Sequence, residues 1–208
     1  MSKRIAVLVS GGGTNLQALI DAQGRGELGS GKITAVISTK AGAYALERAS
    51  KAGIEGFVLH RKEFESNQAI TIALVQLLKK LNIDLVVLAG CMTIFTEELV
   101  QAYPNAIMNV HPALIPSFCG TGFYGLRVHE EALRYGVKLS GATVHFVSEE
   151  CDGGPIIAQK AVEVRPDDTP EVLQKRIMEQ AEWILLPQAV RAFCEDRIRV
   201  DGRTVIIR

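Results

Sequence analysis

Residues 5–20 read IAVLVSGGGTNLQALI, and this stretch decides the class of fold. Ile5 to Val9 is an unbroken apolar run with no polar alternation, the pattern of a strand buried on both faces. From Asn15 to Arg25 the apolar positions Leu16, Leu19 and Ile20 fall on one helical face. Three consecutive glycines, Gly11, Gly12 and Gly13, stand between the two. A buried strand that turns directly into a helix opens a βαβ unit, and hence a parallel sheet covered by helices.

The pattern repeats down the chain. Ile33 to Ile37 reads as a second strand, Ala43 to Lys51 as a helix stopped near Gly53, and Phe57 to Leu59 as a short third strand. Ser66 to Leu81 carries Ile70, Leu74, Leu77, Leu78 and Leu81 at helical spacing, and DLVVLAG at 84–90 is a fourth strand. The second half changes character. A strand ends near His111 and a turn-rich stretch, Pro112 to Gly125, follows it. A helix is expected over 127–135. GATVHFV then alternates, with Ala142, Val144 and Phe146 opposite Thr143, His145 and Val147. Ile156 to Val164 reads as a strand, and Pro170 to Cys194 as one long helix with Pro170 in its first turn. The tail IRVDGRTVIIR suits a hairpin on Asp201-Gly202.

The bulk numbers fit one domain. The chain has 208 residues, 48% of them hydrophobic, enough for a sizeable core. Lysine plus arginine equals aspartate plus glutamate at 23 each, so no basic excess exists to grip nucleic acid. No apolar run reaches the ~20 residues of a membrane span. Four scattered cysteines, Cys91, Cys119, Cys151 and Cys194, show neither a disulfide framework nor a C-x-x-C metal pair. Reduced thiols and a cytoplasmic location are expected.

Two places carry chemistry. The first is the glycine loop, where Thr14 and Asn15 open a helix whose free N–H groups and positive dipole end attract an anion. The dinucleotide fingerprint fails, because Leu16 occupies its third glycine position and Ser38-Thr39-Lys40 offers no ribose-binding acid. A Gly-Lys-Ser/Thr ending is absent too. A single phosphate monoester fits better than a dinucleotide or a triphosphate. The second place is NVHPALIP, residues 109–116. Residues two apart on a strand face the same side, so Asn109 and His111 converge, and Pro112 stops the ladder just beyond them. A neutral donor beside an imidazole suits an oxyanion at a tetrahedral carbon. Asp152, in the turn of SEECDGGPII, is an acid that could orient His111 and favour its protonated form. His145 reads as a strand residue packed against the sheet, and His60 and His129 have no evident partner.

Taken together, SGGGTNLQALI, VVLAGCMTI, NVHPALIP and GATVHFVSEECDGGPIIAQ resemble the phosphoribosylglycinamide formyltransferase family. The likeness runs in order from Ile5 to about Pro187. It implies a three-layer α/β/α formyltransferase fold with a Rossmann-like N-terminal half and a mixed, mostly parallel seven-stranded sheet. It implies one domain over residues 1–208, with a phosphate-binding half at 1–90 and a folate-binding, catalytic half at 91–208. The family's catalytic trio falls on Asn109, His111 and Asp152. Its ribonucleotide contacts fall on Gly12, Gly13, Thr14, Asn15, Pro112 and Glu182. Its folate contacts fall on Asn67, Met92, Thr93, Ile94, Phe95, Asn109, Ser148, Glu149, Glu150 and Cys151. The Ile115–Pro116 bond is expected to be cis.

The activity so implied moves a formyl group from 10-formyltetrahydrofolate to the amine of glycinamide ribonucleotide in purine synthesis, with no metal. Its partners are small molecules only, neither nucleic acid nor membrane, and the oligomeric state stays open. Two alternatives stand beside it. One is a formyltetrahydrofolate hydrolase, which passes the formyl group to water. The other is a non-catalytic sensor of a phosphorylated ligand on the same scaffold.

Overall fold

A computed structural model describes residues 2–208. Its first unit is the predicted one: strand β1 (Lys3–Val9), the glycine turn, and helix α1 (Thr14–Gly24). Within β1, Ile5, Val7 and Val9 face one core layer while Ala6 and Leu8 face the other. That double burial explains why the run contains no polar residue. Strand β2 (Gly31–Ser38), helix α2 (Tyr44–Lys51), strand β3 (Glu55–Val58), helix α3 (Asn67–Lys80) and strand β4 (Leu85–Leu88) follow. Ser66 caps α3, its hydroxyl accepting the Ala69 N–H at 3.0 Å. A six-residue helix α4 (Glu97–Ala102), too short to show a period, precedes strand β5 (Ile107–His111).

Beyond β5 come helix α5 (Leu126–Tyr135) and strands β6 (Leu139–Phe146) and β7 (Ile156–Glu163). Helices α6 (Pro170–Ile177) and α7 (Trp183–Cys194) and strands β8 (Ile198–Asp201) and β9 (Thr204–Ile207) complete the chain. The sheet order is β3-β2-β1-β4-β5-β6-β7-β9-β8. Strands β3 to β5 run parallel, and β6 and β7 turn the sheet antiparallel. Helices α1, α2, α6 and α7 cover one face; α3 and α4 cover the other. The layering is the expected three-layer α/β/α arrangement.

Three expectations need correction. The sheet has nine strands rather than seven. The two extra strands are the C-terminal hairpin, which does not stand apart: β9 adds to the free edge of β7, pairing Ile156 with Thr204. An exposed edge of unpaired N–H and C=O groups is a template for such addition. The long helix is interrupted by one turn of π-helix at Met178–Glu182. Pro187, inside α7, offers no N–H to the carbonyl of Trp183 one turn earlier, and the widened turn sits just before that defect. Finally, β3 begins two residues and ends one residue earlier than its apolar content suggests, at Glu55–Val58.

Gly13 holds the first turn together for a packing reason. Its φ of 70° is left-handed, and a Cβ there would sit 2.7 Å from Ala45 Cβ on α2. Beta-carbons added at Gly11 or Gly12 would meet nothing within 4 Å. Gly13→Ala should therefore destabilise the fold by about 2 kcal/mol or more, through strain and the forced parting of α1 and α2. Urea denaturation of Gly12→Ala and Gly13→Ala side by side tests this; equal midpoints would refute it.

Candidate active site

The C-terminal ends of β1, β4 and β5 meet at one edge of the sheet, where open α/β folds place ligands. Leu88 of β4 pairs with Asn109 of β5, so the loop Cys91–Phe95 leaves the sheet beside Asn109. That loop is tied to the end of β1: the Met92 N–H donates to Ser10 Oγ at 2.8 Å, and the Ser10 N–H donates to the Gly90 carbonyl. Met92 and Ile94 are 54% and 69% exposed, leaving apolar surface open at this edge.

Asn109 and His111 face away from the core layer that takes Met108 and Val110. On β6, Asn109 stands opposite His145 and His111 opposite Thr143. Thr143 Oγ1 donates to the Ala113 carbonyl at 2.7 Å and accepts from the Ile115 N–H at 3.1 Å. Gln159 Nε2 donates to the Ile115 carbonyl at 2.9 Å. These bonds pin the turn after β5, in which the Ile115–Pro116 bond is cis.

The turn at residues 148–154 brings Asp152 back onto this face. Asp152 has a left-handed φ of 56°. The turn closes tightly, and a Cβ on Gly154 would collide with the Phe146 carbonyl. Asp152 Oδ2 accepts the Gly120 N–H at 2.8 Å and lies 3.6 Å from His111 Nδ1. Its Oδ1 lies 3.5 Å from both Asn109 Nδ2 and His145 Nε2. The three side chains expected to meet do meet.

A fourth belongs with them. His145 Nδ1 lies 2.8 Å from the Phe146 carbonyl, which can only accept, so this nitrogen carries the proton. The ring's Nε2 lies 3.2 Å from Asn109 Nδ2. In sequence His145 reads as a strand residue packed against the sheet. Its alternation with Thr143, on the polar side of β6, was the available signal.

Burial pushes the His111 imidazole below its ordinary range, and this outweighs the upward pull of Asp152 and the Phe118 carbonyl. Its Nε2 donates to the Phe118 carbonyl at 2.8 Å. Burial would raise Asp152, but the His145 contact, the His111 ring and the Gly120 N–H together hold it below the usual carboxylate range. Loop residues Phe118 and Gly120 thus occupy two of the three groups.

The glycine loop forms a second cluster. The π-turn aims Glu182 at α1, where Asn15 Nδ2 donates to Glu182 Oε2 at 2.6 Å. Asn15 Oδ1 is buried without a partner. Thr14 Oγ1 lies 3.7 Å from Met178 Sδ. Gly12, Gly13, Thr14, Asn15 and Glu182 are thereby brought together. Pro112 directly follows His111 and is half-buried.

The remaining positions lie at the rim or apart. Ser148, Glu149, Glu150 and Cys151 form the loop leading to Asp152, with Glu149, Glu150 and Cys151 exposed. Asn67 begins α3 and accepts from Arg61 Nε at 2.8 Å. Among the described residues no side-chain hydrogen bond joins it to the other candidates. Cys119 and Cys151 flank Asp152, whereas Cys91 neighbours Ser10 and Thr39. Among the described residues no group of three His, Cys, Asp or Glu side chains is placed to hold a metal, and no helix is long and apolar enough to cross a membrane.

Two buried groups titrate in opposite senses. His129 on α5 is fully buried with neither ring nitrogen bonded, and burial depresses it to about 4. As pH falls below the unfolded value of about 6.5, only the unfolded chain takes up this proton, so stability drops by about 3 kcal/mol by pH 4. Glu182 is raised to about 7 by burial, against the Asn15 bond. Its unfolded carboxyl ionises near 4.5, so stability drops by about 3 kcal/mol as pH rises from there to 7. Relative to wild type, His129→Leu should gain stability at acid pH and Glu182→Gln at neutral pH. Urea midpoints at pH 5 and pH 7 check this; parallel pH dependence in all three proteins would reject both assignments.

Residues 3–190 match the formyl transferase family. This chain belongs to the formyl transferase family. Among its curated relatives, it is 42% identical over 198 residues to the phosphoribosylglycinamide formyltransferase of Haemophilus influenzae, covering 95% of this chain and 90% of that protein. It is 41% identical to the chloroplastic phosphoribosylglycinamide formyltransferase of Arabidopsis thaliana, covering 98% of this chain and 70% of the relative. Among solved structures, glycinamide ribonucleotide transformylase 1 from Symbiobacterium toebii superimposes with a TM-score of 0.93 at 43% identity, covering 99% of this chain and 94% of that one. The three-layer α/β/α arrangement with its mostly parallel sheet is thus shared with that structure.

Proposed function

We propose that this protein transfers the formyl group of 10-formyltetrahydrofolate to the amino group of 5-phosphoribosylglycinamide, a step of purine biosynthesis, in the cytoplasm. The observation that carries the reading is the meeting of Asn109, His111 and Asp152 at the sheet edge that also ends in the glycine loop. Family membership and relatives that bear this activity's name support it.

In this reading the substrate phosphate docks on Gly12, Gly13, Thr14 and Asn15, and Glu182 takes the ribose hydroxyls. Residues 1–90 supply the phosphate loop, while residues 91–208 supply the folate site and the chemistry. The reduced folate lies along Met92, Thr93, Ile94 and Phe95, bordered by Asn67 and by Ser148 to Cys151. The exposed apolar surface of Met92 and Ile94 supports that placement.

The neutral amine attacks the formyl carbon and charge grows on the formyl oxygen. Asn109 Nδ2 donates to it, and the Nε2–H of His111, once released from the Phe118 carbonyl, provides a second donor. Pro112, directly after His111, ends the strand and keeps that edge open to the amine. The tetrahedral adduct collapses by breaking the bond between the formyl carbon and N10 of the folate, and the proton lost by the amine passes to that nitrogen, through His111 or a water molecule, as tetrahydrofolate leaves. The amine is already a nucleophile, so no covalent intermediate on the protein is needed.

A formyl-transfer assay with and without the ribonucleotide tests this. Tetrahydrofolate should appear only when the acceptor is present, together with formylated ribonucleotide. Formate release without the acceptor would indicate the hydrolase instead. Ribonucleotide binding without turnover would indicate a sensor.

A further inference from the structure

The glycine loop offers N–H donors to an anion but little net charge, since a helix N-terminus amounts to about half an elementary charge. A phosphate monoester carries up to two negative charges, and the carboxyl of Glu182 sits beside the same turn. Something must offset this, and the structure places one cation against the loop. Arg48, on α2, donates from Nε to the Gly12 carbonyl at 2.8 Å and from Nη1 to Gln17 Oε1 at 2.9 Å. Its guanidinium lies 5.0 Å from the ring centre of Tyr44. Its Cδ would be 3.6 Å from a Cβ on Gly13.

Neutral acceptors alone hold Arg48; among the described residues it forms no ion pair. By contrast Arg25, nearby, is neutralised by Glu27 at 2.7 Å. Nη2 of Arg48 has no protein partner among the described residues. A cleft of about 310 Å3 opens here, lined by Thr14, Gln17, Asp21, Arg25, Arg48 and Trp183. A planar guanidinium held by neutral groups, with N–H bonds to spare and facing such a cleft, is suited to a phosphate.

We infer that Arg48 is the counter-ion of the substrate's 5′-phosphate, reached from α2 across the glycine loop. This rests on the ribonucleotide reading above. Sequence inspection passes over Arg48, because it lies more than thirty residues beyond the loop on a helix whose other charges are ordinary surface charges.

Calorimetry with the ribonucleotide and with its riboside, the same acceptor without phosphate, tests the inference on wild type, Arg48→Gln and Arg48→Lys. Arg48→Gln should weaken ribonucleotide binding roughly ten- to a hundredfold, the range for a charge-assisted hydrogen bond, and leave the riboside unaffected. Arg48→Lys keeps the charge but loses the fork that spans Gly12 and Gln17, and should retain most of the affinity. In turnover, the Arg48→Gln loss should fall on KM for the ribonucleotide rather than on kcat. Equal ribonucleotide affinity in Arg48→Gln and wild type would overturn the inference. Equal losses for ribonucleotide and riboside would also overturn it, since they would mean that Arg48 only shapes the loop. Binding that follows the expected pattern in a protein that transfers no formyl group would uphold Arg48 and reject the proposed reaction instead.

Discussion

Asn109→Ala is expected to lower kcat by roughly a hundred- to a thousandfold, with little change in KM for the ribonucleotide. The size follows from what the amide does before and during the reaction. Its Nδ2 lies 3.2 Å from His145 Nε2 and 3.5 Å from Asp152 Oδ1, both long contacts that are cheap to give up. Charge on the formyl oxygen makes the same N–H groups far more valuable in the transition state than in the ground state. Removing such a donor typically costs about 3–4 kcal/mol of transition-state stabilisation. Steady-state kinetics with both substrates varied is the measurement, and a kcat near that of wild type would remove Asn109 from the reacting atoms.

Asp152→Asn should lower kcat by roughly a hundred- to ten-thousandfold, the usual range for disturbing a positioned acid–base group, with the protein still folded. Asn can still accept the Gly120 N–H, so the loop contact survives. The negative charge does not. Asp152 is the largest influence raising His111 against its burial, so its loss should carry the imidazole further down. The limb of the pH–rate profile that reports His111 should then move to lower pH. A merely structural aspartate would leave that limb in place. A profile of unchanged shape, or turnover near wild type, would discard the assigned role.

Much of this was legible in the chain. The double-sided burial of β1 shows in Ile5 to Val9 because every residue meets a core layer. The convergence of Asn109 and His111 follows from strand periodicity alone. Features that depend on distant partners were not legible. His145 was hidden because a histidine on an alternating strand is most often packing, and only Asp152 arriving from the following turn gives it a polar role. At His111 the sequence shows the neighbouring acid but not the depth of burial that opposes its pull on the imidazole. The π-turn at Met178–Glu182 is invisible to a helical period, yet it directs Glu182 at Asn15. The hairpin was recognised from Asp201-Gly202, but not its docking on β7, which depends on an edge left free elsewhere.

That docking governs how the sheet ends. With β9 seated on β7, the outermost strand on this side is β8, four residues long and carrying Arg199 and Asp201, themselves 3.5 Å apart. At the other margin β3 is equally brief and opens on Glu55. Another copy of the chain trying to continue the ladder at either margin would find few backbone groups to grasp and ionised side chains to strip of water. Assembly by strand-to-strand growth is therefore discouraged at both extremities. Self-association, where it occurs, has helical faces and loops as its better ground.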